Sequence, residues 1–359
     1  MREESRLFLG APSISGRRNE LHDPTHGDPP HVRSRVLVVR VCWIGWRTVR
    51  NRFPNLDILA WACLTLPTIA IGTLQGKILF TRAGRNFGDE TVFTADAAGM
   101  HEQRITGFGA TCCPRWSSDG AHILIAASAP DGRITTGIID PHGSLERKIP
   151  LPKGTLNLGG GAWSLTTGRL ALEGWDDTKP GRNGIYTVRA SDGGGLVQVT
   201  HSADGYHDRP MDFAPDGSRI FFFREASSSL FVVNADGTGL HQVTPSDMPV
   251  DVVGNAGGRL SPDGSSILFT VSGSIWVIHP DGSGLKKIFQ DGKGRLAITP
   301  TWSPDGHLIL FGLDPPGSLA TTEVAPANGL YVMTADGTEL TPLLISNDWK
   351  REPDWVAAS

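Results

Sequence analysis

The chain has 359 residues, including 44 glycines and 25 prolines, and a formal net charge of −4 at pH 7. This composition suits a turn-rich β protein, and a single β domain can reach this length. Residues 1–52 carry ten Arg, no Lys and five acids, so the remainder is acidic, at about −9. An acidic domain argues against binding to a phosphate backbone, so we expect no nucleic-acid partner.

Residues 1–52 are predicted to be a disordered extension, or translated sequence upstream of the true start. The first 35 of them are rich in Arg, Pro, His, Gly and Ser and show no apolar period. Neither a helix nor a strand is expected in such a segment.

A signal-like segment is predicted at residues 53–76. Arg47, Arg50 and Arg52 precede an apolar run at residues 58–74, and residues 70–72 (Ala-Ile-Gly) could serve as a cleavage site. The run has 17 residues and contains Pro67, so it is short for a bilayer span of about 20. We favour export, with the segment either cleaved or kept as a membrane tether; a buried segment is the alternative. The expected location is therefore periplasmic or extracellular.

From residue 77 onward the sequence repeats one unit, written most fully at residues 259–289. Residues 261–264 (Ser-Pro-Asp-Gly) are typical of a tight turn, since Pro presets φ and Gly accepts the left-handed position. Apolar runs at residues 267–269 and 275–278 predict two buried strands. A second turn follows at residues 279–282 (His-Pro-Asp-Gly), and residues 285–289 predict an outer strand.

A large apolar residue marks the start of each repeat, at steps of 47, 50, 47, 42 and 53 residues, which is near the period of propeller blades. The markers are Trp116, Trp163, Phe213, Leu260, Trp302 and Trp355. The chain enters at residues 77–81 on a second strand and leaves at residues 354–355 on a first strand. We therefore predict an all-β fold over residues 77–359. It is a six-bladed β-propeller of four-stranded antiparallel sheets, closed by the C-terminal strand joining the three N-terminal strands. A stack of unrelated hairpins or an open solenoid is the alternative.

The repeat resembles the TolB-type propeller repeat, a WD-like family marked by Ser-Pro-Asp-Gly and Asn-Ala-Asp-Gly turns. Residues 261–264 and 234–237 carry these two turns, and the resemblance covers residues 77–356. It implies a six-bladed propeller. TolB carries a small α/β domain ahead of its propeller, and we expect that domain to be absent here.

In a closed ring of this kind the short turns share one side, which we call the tight-turn face. The longer connections between second and third strands and between blades share the other side, the variable-loop face, where binding residues usually lie. Our candidate binding residues on that face are Trp175, Asp176, His201, Tyr206, His207, Asp208, Arg209, Trp349 and Arg351.

Two groups among these candidates allow specific chemistry. His201, His207 and Asp208 could hold a divalent metal or supply a general base; we favour solvated loop residues, because no second ligand set stands at a fixed spacing. Asp176 beside Trp175 could bind a cation or a sugar, the alternative being a solvated acidic loop. We expect no metal, no cofactor and no catalytic residue.

The residue before each marker forms a ring about the propeller axis. These residues are Arg115, Ala162, Asp212, Arg259, Thr301 and Asp354. We predict two structural ion pairs between neighbouring blades, Asp212 with Arg259 and Asp354 with Arg115. Lining of a ligand channel is the alternative.

The four cysteines are Cys42, Cys63, Cys112 and Cys113, and none forms a Cys-x-x-Cys zinc motif. Cys112 and Cys113 could form a disulfide with each other, but we favour free or buried thiols.

Motifs of an esterase elbow, a phosphate loop or a zinc protease do not occur. The favoured function is a monomeric, non-catalytic propeller of the cell envelope that binds a protein or glycan partner. The alternative is a carbohydrate lyase or hydrolase with a His/Asp site in the central pocket.

Overall fold

The computed structural model describes residues 69–83, 90–107, 113–202, 205–252, 257–317 and 328–358, all of them within one compact unit. The predicted extension at residues 1–52 and residues 53–68 of the signal-like segment lie outside the described residues. Within the described ranges, no helix is long and apolar enough to cross a bilayer.

The described residues form six four-stranded antiparallel sheets. The first contains β1 (Lys77–Ala83), β2 (Thr91–Asp96), β3 (Gln103–Arg104) and β24 (Trp349–Val356). The second contains β4 (Arg115–Trp116), β5 (Ile123–Ser128), β6 (Ile134–Ile139) and β7 (Leu145–Lys148). The third contains β8 (Asn157–Ser164), β9 (Arg169–Trp175), β10 (Gly184–Arg189) and β11 (Val197–Gln198). The fourth contains β12 (Asp208–Phe213), β13 (Arg219–Arg224), β14 (Ser229–Asn234) and β15 (His241–Gln242). The fifth contains β16 (Arg259–Leu260), β17 (Ile267–Val271), β18 (Ser274–Ile278) and β19 (Lys286–Phe289). The sixth contains β20 (Leu296–Trp302), β21 (Leu308–Asp314), β22 (Gly329–Thr334) and β23 (Thr341–Ile345). Short 3-10 helices span Ile71–Thr73, Pro180–Arg182 and Glu225–Ser227.

The first sheet joins the two ends of the ring. Strand β24 pairs antiparallel with β1, with Trp355 opposite Ile78 and Asp354 opposite Leu79. The sheet order is β24-β1-β2-β3, so β24 is its innermost strand. The predicted six-bladed propeller fold is confirmed, and its two chain ends meet in one sheet.

The recurring Asp-Gly turns are stabilised from within. In the turn after β16, Asp263 accepts hydrogen bonds from the Ser261 hydroxyl at 2.5 Å and the Ser265 amide at 3.0 Å. Gly264 then takes a φ of 75°, which a side chain would disfavour. The Asp side chain and the glycine are therefore both required by the turn itself.

Apolar side chains of adjacent sheets form the core between blades. At the seam, Phe80 and Trp355 of the first sheet pack with Leu310 of the sixth. Ile69 and Leu74, at the end of the predicted signal-like segment, pack against the same cluster. Residues 69–76 therefore belong to the packed structure of the propeller.

Register irregularities occur in β8, β12, β20 and β24, each immediately before the strand's axial residue. A bulge of this kind changes the direction of the side chains that follow it. It thereby helps to present Ala162, Asp212, Thr301 and Asp354 at the axis.

Candidate functional site

Four charged side chains close the propeller axis in a ring of alternating sign, which we call the axial charge ring. The Arg115 guanidinium lies 2.5 Å from Asp212, and that of Arg259 lies 2.5 Å from Asp354. The two pairs expected from the sequence, Asp212 with Arg259 and Asp354 with Arg115, are each 3.7 Å apart. All four contacts are within ion-pair distance, but the shortest ones join residues two blades apart.

The small residues at the other two axial positions explain this pairing. The blade between Arg115 and Asp212 contributes only Ala162, and the blade between Arg259 and Asp354 contributes Thr301. Each arginine can therefore reach past a small neighbour to the next aspartate.

Backbone amides of neighbouring blades fix the two carboxylates. Asp212 accepts a hydrogen bond from the Leu260 amide at 2.9 Å, and Asp354 accepts one from the Trp116 amide at 2.8 Å. Burial raises the pKa of both carboxyl groups, and the charge of Arg115 opposes the rise. Because an unfolded Asp ionises at a lower pH, this desolvation cost grows as the pH rises through the folded pKa. The ring is therefore better suited to fixing geometry than to adding net stability.

The axial charge ring separates two spaces along the axis. On the side of the variable loops, a cavity of about 20 Å³, room for a single water, is lined by Cys113, Thr299 and Glu352 among others. On the tight-turn face, an open space of about 330 Å³ is lined by four tryptophans, with the ring as its floor. We call this second space the axial funnel.

A second candidate site, the His207 cluster, lies on the variable-loop face between the third and fourth sheets. It comprises Glu173, Trp175, His207, Arg209 and Glu225. The His207 ring nitrogen Nδ1 is 2.5 Å from the Glu173 carboxylate, and the Trp175 ring centre is 5.9 Å from that of His207. Glu225 accepts hydrogen bonds from the His207 amide at 3.1 Å and the Arg209 guanidinium at 3.4 Å.

The carboxylates of this cluster favour a charged imidazole. The hydrogen bond to Glu173 raises the pKa of His207 above 6.5, although burial acts in the opposite direction. The His207 side chain remains 27% exposed, whereas that of Glu173 is 8% exposed. The exposed part of the cluster is thus a cationic and aromatic surface held by buried acids.

Sequence reasoning missed Glu173 and Glu225 as members of the cluster. Glu173 stands in β9 within a run of buried apolar and small residues, with Leu172 before it and Gly174 after it. A single acid in such a strand is a signal for a buried partner. The identity of that partner depends on how two blades align, and the sequence does not contain this directly.

Three of the predicted binding residues are buried and already bonded. Asp208 is fully buried and accepts both a two-point contact from Arg224, at 2.8 Å for each oxygen, and a bond from Thr200. The Trp349 indole donates to Asp314 at 3.3 Å. Asp176 is the third such residue. These three side chains serve the fold and do not face a ligand.

Asp176 organises its own loop. Thr155 and Thr178 donate hydrogen bonds to its carboxylate, at 2.8 and 2.7 Å, and the Arg182 guanidinium lies at 2.8 Å. Burial acts to raise the pKa of Asp176, but the threonine hydrogen bonds and the charge of Arg182 outweigh it and hold the pKa at about 2. Asp176 is therefore neither a solvated acid nor an open cation ligand.

We expect acid to loosen this loop. Because the folded pKa of Asp176 is depressed, its stabilising effect is complete above pH 3.8 and is lost as the pH falls towards about 2. Asp176→Asn should cost about 1.5–3 kcal/mol, the usual value for hydrogen bonds to a charged group. Hydrogen exchange of residues 177–183 would measure the loosening. The exposed neighbour gives the matched control, and equal effects of Asp177→Asn and Asp176→Asn would contradict the assignment.

The other predicted binding residues are arranged differently. Arg351 pairs with Glu90 and is mostly buried. His201 contacts the Gln198 amide at 3.0 Å, whereas Tyr206 is 47% exposed. His201, His207 and Asp208 thus have different bonded partners. No group of three His, Cys, Asp or Glu residues suited to a metal ion occurs in the part of the chain that the structure describes.

Cys113 takes part in a disulfide. The expectation of free thiols at residues 112 and 113 is therefore wrong for Cys113. Its partner is outside the described residues, since Cys42, Cys63 and Cys112 all are.

Six four-stranded sheets around a charged axis, with the chain ends meeting in one sheet, define a six-bladed β-propeller. Comparison with solved structures assigns this propeller to the TolB type. TolB from Acinetobacter baumannii is 18% identical with a TM-score of 0.59; the match covers 78% of this chain and 66% of that one. This chain therefore spans just under two thirds of that protein.

Two further structures share the fold. A TolB from Agrobacterium tumefaciens is 15% identical with a TM-score of 0.57, over 79% of this chain and 100% of that one. A chain of the nidogen/laminin complex is 10% identical with a TM-score of 0.55, over 76% of this chain and 97% of that one. No protein-family model matches the sequence, and no curated protein matches it. At these identities the similarity establishes the fold.

Proposed function

We propose that this chain is a non-catalytic propeller of the cell envelope that binds a protein or glycan partner through its variable-loop face. The observation that supports the proposal is the His207 cluster. It presents an aromatic ring, an imidazole and a guanidinium together on that face, and Tyr206 nearby is 47% exposed. Tyr, Trp and Arg are the side chains most often found at the centre of binding surfaces.

The buried acids prepare this surface for a partner. Glu173 bonds the His207 ring and Glu225 bonds the Arg209 guanidinium, so both side chains are oriented before binding. A surface ordered in advance loses less conformational entropy when a partner binds.

The proposed location is periplasmic or extracellular. It is supported by the order of basic and apolar residues at residues 47–74, which is that of an export signal. In the exported protein the segment is either removed or retained as a tether.

Photo-crosslinking tests the binding surface. With a photoreactive residue at position 206, we expect one discrete adduct in envelope extract, and none with the same residue at position 240, which is exposed on an outer blade edge. The adduct should fall at least tenfold in Trp175→Ala and Arg209→Ala, since truncation of a central anchor costs about 2 kcal/mol or more. Leu240→Ser, the control, should leave it unchanged. Adducts that form equally at both positions, or survive both substitutions, would exclude the proposed surface.

One observation favours the enzymatic alternative. A carboxylate bonded to one imidazole nitrogen, as in Glu173 and His207 at 2.5 Å, is the arrangement that orients a general base. An enzyme acting on carbohydrate would return a changed sugar and lose turnover in His207→Ala. A binding protein would release the same sugar unchanged.

A further inference from the structure

The axial funnel on the tight-turn face has the features of a small-ligand site. Its volume is about 330 Å³, at the lower end of the range for small-molecule pockets. It opens between the turns that follow β4, β16 and β20, on the side of the propeller opposite to the His207 cluster. A ligand here would be independent of the partner proposed for the variable-loop face.

The walls of the funnel are aromatic and held in place. The Trp302 indole donates to the Arg259 carbonyl at 3.2 Å, and the Trp355 indole donates to the Gln75 carbonyl at 3.0 Å. Trp163 stacks on His122 with ring centres 5.3 Å apart. Rings fixed in this way provide an apolar surface that needs no rearrangement to accept a ligand.

The wall hydroxyls are occupied by their own turns. Ser117 donates to Asp119 at 2.5 Å, and Ser303 donates to Asp305 at 2.6 Å. Recognition of a charged group therefore falls to the floor, which is the axial charge ring.

The floor retains both donors and acceptors. Arg115 and Arg259 each give one hydrogen bond within the ring, although a guanidinium carries five N–H donors. Each aspartate accepts one guanidinium and at least one backbone amide, and a carboxylate offers about four acceptor positions. Asp212 is the most exposed of the four side chains, at 22%.

The charges of the floor cancel, but they are separated in space. A ligand with a net charge would meet a like charge as close as an opposite one. A ligand with an ammonium group and a carboxylate on the same carbon can place each against its opposite, as an α-amino acid does. Its side chain would then lie among the indole rings.

We propose that the axial funnel binds a free α-amino acid with an apolar side chain, its zwitterionic head on the axial charge ring and its side chain against the tryptophans. The ammonium group contacts Asp212 or Asp354, and the carboxylate contacts Arg259 or Arg115. This site goes beyond the proposed function, because it uses the opposite face and a different class of ligand.

Calorimetric titration of the full chain with L-phenylalanine and L-leucine tests the proposal. We expect at least one of them to bind, and its two charge-blocked analogues to bind at least tenfold more weakly. The amide lacks the carboxylate, and the N-acetyl form lacks the ammonium group. Equal binding of an analogue would show a site for a simple cation or anion and overturn the proposal, as would no heat with either amino acid.

A filled funnel gives the second measurement. Leu260 lines the funnel and is half-buried, so Leu260→Trp should reduce the space and weaken amino-acid binding at least tenfold. Leu240→Ser, on an outer blade edge, should leave binding unchanged. Undiminished binding in a folded Leu260→Trp protein would place the ligand elsewhere and refute the assignment. If Leu260→Trp does not fold, the analogue series still decides.

Discussion

Replacing Asp354 by Asn should lower the free energy of unfolding by about 3–5 kcal/mol, the usual cost of removing one partner from a buried ion pair. Asp354 accepts a hydrogen bond from Arg259 at 2.5 Å and lies 3.7 Å from Arg115. In the variant, two guanidinium groups would share the single charge of Asp212. Urea denaturation followed by near-ultraviolet circular dichroism would measure the change.

A turn aspartate provides the matched control for this substitution. Asp236 is exposed and bonds only within its own turn, through Thr238 among others, so Asp236→Asn should cost about 1 kcal/mol or less. The double variant Asp354→Leu with Arg259→Met should recover part of the loss, because it leaves fewer unpaired charges. A cost for Asp354→Asn no larger than that for Asp236→Asn would show that the axial charge ring does not behave as a buried network.

The blade pattern could be predicted from the sequence because each blade repeats its own turn chemistry. A turn such as residues 261–264 needs only local interactions, namely the Asp263 hydrogen bonds and the left-handed Gly264. The axial positions also followed from a local rule, since each one precedes a marker residue such as Trp116. Local rules of this kind survive folding because the strands impose a fixed register.

The partners of these residues could not be predicted, because they depend on several blades at once. Arg115 passes over Ala162 to reach Asp212, and that choice requires the radius of the closed ring. Asp176 has the same local signature as the exposed Asp177, yet it is buried under Thr155 from the preceding loop. Lys350 is fully buried and contacts Asp348 at 2.5 Å, although nothing in the local sequence separates it from a surface lysine.

Deleting residues 349–359 should abolish the cooperative fold. Strand β24 supplies the innermost strand of the first sheet, pairs with β1 and carries Asp354 of the axial charge ring. Its side chains are almost all buried, including Trp349 at 5% exposure and Trp355 at 7%. Loss of one buried tryptophan alone costs about 3–5 kcal/mol, and a typical domain has only about 5–15 kcal/mol in total. The truncated chain should show no sharp thermal transition in near-ultraviolet circular dichroism.

A shorter deletion separates the strand from the chain end. Ala357 and Ala358 are exposed, so a chain that ends at Val356 should melt like the full protein. A synthetic peptide of residues 347–358 should restore the transition of the longer truncation, because β1 would offer it the same unpaired edge that β24 covers. The rescue should fail with a peptide carrying Asp354→Ala and Trp355→Ala, since this peptide can form the backbone ladder but cannot complete the axis or the core. If the long truncation melted cooperatively without any peptide, the two chain ends would not hold the ring closed, and the axial charge ring could not be part of a single cooperative structure.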